Sequence, residues 1–159
     1  MNAGRILATV ALVVGSASVA AAQTATQAVT FQVDAINQIS FSGSPSLTIN
    51  TATAGSNPTN ATAAASWAVT TNQTGAKITA SIGSAMPAGL TLSVNLTAPA
   101  GGSSAGATSL STTDVDVVTS ITKLAQAAIA VNYSLAATPA AGVVSSTSRT
   151  VTYTITGGT

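Results

Sequence analysis

Three aspartates, Asp34, Asp114 and Asp116, are the whole carboxylate stock of this sequence, which has no glutamate, histidine or cysteine. Acid–base and covalent catalysis need titratable or nucleophilic side chains held beside a partner, so the usual candidates reduce to those three. Ser120-Ile121-Thr122-Lys123 comes nearest to a Ser-x-x-Lys nucleophile, and in a chain so rich in serine the match reads as chance. Asp114-Val115-Asp116 could offer two oxygens to calcium. That ion takes six or more ligands, and neither EF-hand spacing nor a Gly-rich repeat surrounds the pair, so a solvated loop is the better reading. The glycines between Pro99 and Ala107 lack the Lys-Ser/Thr pair and following helix of a phosphate loop. Four glycosylation sequons, beginning at Asn60, Asn72, Asn95 and Asn132, are expected by chance in this composition. The inventory points to a non-enzymatic protein with no cofactor and no metal.

Charge and composition narrow the class further. Met1 to Ala22 reads as a signal peptide, with Arg5 in the charged region, Ile6 to Val14 as the apolar run, and Ala20-Ala21-Ala22 as the cleavage site. Cleavage there leaves 137 of the 159 residues, enough for one domain. The exported chain then balances Lys77, Lys123 and Arg149 against its three aspartates, a net charge of zero. Such a surface lacks self-repulsion and favours association, and it has no basic patch for nucleic acid. No second apolar segment follows, so no membrane contact is expected after signal cleavage, and the expected location is secreted, extracellular or cell-surface. Without cysteine there are no disulfides, and stability must come from a core. Abundant Thr and Val favour strands over helices.

The elements that would carry any function are therefore strands. Thr26 to Ala35 alternates without a slip, placing Val29, Phe31, Val33 and Ala35 on one face and Thr30, Gln32 and Asp34 on the other. The alternation pauses near Asn37-Gln38, where a bulge or hinge is expected, and resumes at Ile39-Ser40-Phe41. Ser42 to Pro45 reads as a turn, Leu47-Thr48-Ile49 as a brief strand, and 51–62 as an exposed loop. Ser66 to Thr70 and Ala76 to Ile82 read as two strands of a hairpin turning through Asn72-Gln73-Thr74-Gly75. Met86-Pro87-Ala88-Gly89 leads into Leu90 to Leu96, the cleanest alternation in the chain. The stretch 114–128 mixes periods, and a strand or single turn near Val117 to Ile121 is preferred. Ile129 to Leu135 and Val151 to Thr156 alternate again. The expected core anchors are Trp67, Leu92, Val94, Val131, Tyr133, Val151 and Tyr153. Roughly seven to nine short strands with Gly, Pro, Asn and Ser turns describe an all-β chain, a single antiparallel β-sandwich preceded by an N-terminal extension strand.

A signal peptide, an alternating extension (Val29, Phe31, Val33), one small β domain and a closing strand Val151-Thr152-Tyr153-Thr154-Ile155 together resemble the donor-strand fimbrial subunits, the chaperone-usher pilins and their spore-coat-like relatives. The resemblance implies an immunoglobulin-like sandwich over residues 37–159, with 23–36 as a donor strand completing the sheet of the next subunit. It further implies a homopolymer, with an assembly chaperone or secretion machinery as a possible partner. Two other readings stand beside it. A surface adhesin or carbohydrate-binding sandwich would show aromatics on one flat face, and a self-complete secreted monomer would fold its amino-terminal strand back.

Overall fold

The computed structural model describes residues 22–159, so the expected signal segment lies outside the described residues except for Ala22. The chain forms two units, Met1–Gln32 and Val33–Thr159. The second holds all of the regular structure among the described residues. Its strands are β1 (Asn37–Ser42), β2 (Ala61–Ile82), β3 (Leu90–Leu96), β4 (Ser103–Ser104), β5 (Thr108–Ser109), β6 (Val115–Ala137) and β7 (Val151–Thr156), with a 3-10 turn at Pro139–Ala141. They make one seven-stranded antiparallel sheet in the order β1-β2-β6-β3-β5, with β4 on β6 and β7 on β2.

Two long strands form the spine of this sheet, and both differ from expectation. Residues 66–82 do not form a hairpin; they belong to the single strand β2, which runs against β6 from Ala61 to Ala80. Its buried positions are Trp67, Val69 and Thr71 in the first half and Ala76, Ile78, Ala80 and Ile82 in the second, so the inward face changes from odd to even positions. A one-residue slip has that effect, and the register shifts between Thr71 and Ala76 provide it. Gly75, at φ 77°, supplies the left-handed conformation there, absorbing into a bulge the residue that reads as a hairpin turn. Likewise β6 is one strand of 23 residues where the sequence suggests two separate segments. Ser120, Lys123 and Ala128 adopt positive φ angles of 61°, 40° and 55°, and each falls at a register shift against β2. These irregularities break the alternation without breaking the strand.

The bulges also bend the sheet. β1 pairs with the first half of β2, Phe41 opposite Trp67, and β7 with the second half, Tyr153 opposite Ala80. A straight strand from Trp67 to Ala80 would span roughly 40 Å at about 3.3 Å per residue. The Phe41 and Tyr153 rings nevertheless stack at 3.9 Å between centroids. The sheet is thus curled over on itself, and both halves of β2 and β6 feed one hydrophobic cluster with β3. Trp67, Leu92, Val94, Val131 and Tyr133 lie in that cluster, and Val151 and Tyr153 pack against it half-buried.

Two smaller expectations also change. Leu47-Thr48-Ile49 makes no ladder, and the 99–107 loop contains the two-residue strand β4. Before β3, the Met86 to Gly89 turn closes on Gly89 at φ 76°, where a Cβ would meet the Ala141 backbone nitrogen at 2.6 Å. Only glycine fits that approach.

Candidate functional site

Residues 22–36 take part in no strand. The alternating apolar side chains of this segment are open to solvent: Val29 is 76% exposed, Phe31 89% and Val33 77%. Ala35 is exposed as well. Burying such side chains is worth about 1.5–3 kcal/mol each for Val or Phe, so their exposure on one face is costly in water. Where the segment meets β1, side-chain amides fasten it to β2. Asn72 donates through Nδ2 to the Asp34 carbonyl at 2.7 Å and accepts the Ile36 N–H on Oδ1 at 2.8 Å. Asn37 donates to Gln73 Oε1 at 2.6 Å and accepts from the Thr71 hydroxyl at 2.7 Å. Asn37 is therefore the first residue of β1, at the position where the alternation pauses.

Within the second unit the curled sheet leaves a groove of about 1160 Å³. Its floor and walls include Ile39 and Phe41 of β1, Leu92 of β3, Tyr133 of β6, and Val151 and Tyr153 of β7. Segments without ladders, Pro45 to Ala52 and Gly142 to Arg149, complete the rim. Four of the expected core anchors, Leu92, Tyr133, Val151 and Tyr153, thus meet at the groove. Trp67, Val94 and Val131 lie in the core and do not line it. Val29, Phe31, Val33 and Ala35 are not among the lining residues either. Phe41 and Ile39 are groove residues that the sequence singles out only as an alternating pair. Nothing in it marks Leu47, Ile49 or Val144 as a wall, because the wall is made by loops.

A hydrogen-bonded tyrosine pair stands among the groove's apolar residues. Tyr153 donates its hydroxyl to the Tyr133 oxygen at 2.9 Å, while its ring stacks on Phe41 at an interplanar angle of 14°. Burial, and then the hydrogen bond with Tyr133, push the Tyr153 pKa well above the usual phenol value of 10.0. The neutral phenol is the form that the fold favours, so its contribution to stability is complete below pH about 10 and is lost as pH rises beyond it. Tyr153→Phe is expected to flatten this alkaline loss in a pH series of chemical denaturation midpoints. With no histidine, cysteine or glutamate in the chain, little change is expected between pH 6 and 9 in either protein.

Arg149 is the charged residue on the groove's rim, where its Nε donates to the Ala85 carbonyl at 3.2 Å. Lys77 and Asp116 pair at 3.0 Å across β2 and β6, both about half exposed, and contribute less than about 1 kcal/mol. No group of three or more His, Cys, Asp or Glu converges among the described residues. Ser120 and Lys123 occupy two of the β6 bulges. No helix among the described residues is long and apolar enough to cross a membrane, which says nothing of strands. Compared with known proteins, the chain matches no family model, no curated protein and no solved structure.

Proposed function

We propose that this chain is an exported structural subunit that polymerises by strand donation. Val29, Phe31 and Val33 of one copy enter the Phe41–Tyr153 groove of the next, and Ala35 continues the same face. In this reading the curled sheet is an immunoglobulin-like sandwich that lacks one strand, and the 23–36 extension is the strand that a neighbour lacks. Assembly then yields an extracellular filament or coat, with no cofactor, and export machinery or a chaperone delivers the subunits.

The observation that carries the reading is the groove itself. At about 1160 Å³ it exceeds the roughly 300–1,000 Å³ typical of small-molecule sites, and it sets apolar strand residues such as Ile39, Phe41, Leu92 and Val151 against the largely polar loop segments at 45–52 and 145–149. Those dimensions suit an extended peptide, which strand addition holds by backbone hydrogen bonds and fixes in register by alternate side chains. The same chain supplies a matching peptide with its apolar teeth exposed. A net charge near zero lets copies approach without repulsion.

The test is light scattering and negative-stain electron microscopy on the mature chain with and without residues 24–35. Polymers are expected from the complete chain and none from the truncated one. Filaments of normal length from both would overturn the proposal, and a glycan-binding monomer would replace it with the adhesin reading.

A further inference from the structure

The segment Ser46-Leu47-Thr48-Ile49-Asn50 has the burial pattern of a strand and the hydrogen bonding of a loop. Leu47 and Ile49 are half-buried while Ser46, Thr48 and Asn50 are exposed, a period of two. All five residues line the groove. None of them belongs to a ladder or makes a backbone–backbone hydrogen bond among the described residues. Backbone N–H and C=O groups seek partners, and a strip of five consecutive unpaired residues is a strand edge in all but name.

The segment is also held at both ends. Gly43, at φ 98°, and Pro45 turn the chain out of β1. Beyond it, Thr59 N–H donates to the Thr51 carbonyl at 2.8 Å and Ser56 N–H to Thr53 at 3.0 Å, closing a small loop bridged by Ala52 and Pro58. Little ordering is then left for an incoming strand to impose, which lowers the entropic cost of pairing with it.

We infer that Ser46–Asn50 is a latent strand of the sheet, completed by the Val29–Val33 segment of a second copy. The inference rests on the strand-donation reading and deepens it by naming the backbone that receives the donor. A second copy is the occupant because the chain itself carries an exposed apolar segment of the same period, and both segments are uncharged from Val29 to Val33 and from Ser46 to Asn50. On insertion, Leu47 and Ile49 would flank the donor's apolar face while the backbone of 46–50 gains ladder bonds to it.

Amide hydrogen exchange on the monomeric and polymeric fractions of the full mature chain tests this. Amides of Ser46–Asn50 are expected to exchange freely in the monomer and at least about 100-fold more slowly in the polymer, with β3 amides protected in both as the internal reference. If polymers form and residues 46–50 still exchange at the monomer rate, the latent strand is wrong and strand donation survives. If the mature chain yields no polymer at all, both fall together.

Discussion

Phe31→Asp is expected to yield a folded monomer that does not polymerise. Phe31 carries the largest apolar side chain of the extension and is 89% exposed, so the substitution removes nothing from the core of its own chain. In the polymer the same ring would be buried in the Phe41–Tyr153 groove. Its loss forfeits about 2–3 kcal/mol of apolar burial, and placing a carboxylate there adds a further desolvation penalty. A combined cost above about 4 kcal/mol weakens each subunit contact by about a thousandfold or more. Sedimentation velocity at a concentration where the parent chain polymerises should show a single slow boundary, and Phe31→Leu should restore most of the assembly. Polymer from Phe31→Asp at the parent's critical concentration would show that this face is not buried in the contact. Thermal unfolding of the variant should match that of the parent monomer, separating lost assembly from lost folding.

The second large effect concerns Trp67, which is 1% exposed and opposes Phe41 in the β1–β2 ladder. Trp67→Ala is expected to destabilise the domain by about 3–5 kcal/mol, because the surrounding strands cannot collapse into so large a void. A domain of this size has only about 5–15 kcal/mol in total, so a sizeable share of the molecules should be close to unfolding at elevated temperature. Trp67→Phe should cost distinctly less than the alanine change. The indole N–H is buried and has no hydrogen-bond partner, so its removal relieves a penalty of about 1–3 kcal/mol while much of the ring volume is kept. Urea midpoints of the two variants, measured with the m-value, give the comparison; equal losses would mean that the nitrogen is satisfied in solution.

Much of the sheet can be read from alternation alone where the alternation is unbroken. Leu90 to Leu96 and Val151 to Thr156 coincide with β3 and β7, and the Pro87-Ala88-Gly89 turn stands where Gly89 is needed. The reading goes astray where turn residues sit inside a strand. Asn72, Gln73 and Gly75 look like a hairpin turn, yet the first two use their side chains to hold the start of β1 and the third takes up a bulge. The β6 bulges at Ser120, Lys123 and Ala128 use backbone angles that side-chain periodicity cannot reveal, so one strand reads as two. The groove is less legible still. It is produced by the curl of the sheet and by the loops at 45–52 and 142–149, and no local pattern encodes their meeting. Leu47-Thr48-Ile49 shows the limit most plainly: its alternation is present and its partner is not.

The amide knot at the head of β1 has a mechanical meaning. A pull on the chain ahead of Asp34 first meets Asn72, which grips the backbone on both sides of Ala35, and then six residues of β1 laid antiparallel along β2. Tension directed along those strands loads their hydrogen bonds in shear, together, where a peeling geometry would break them singly. Because β2 runs on through the curl and is bonded along its length to β6, the force spreads into the whole sheet, and the domain resists traction at the end where its tether begins.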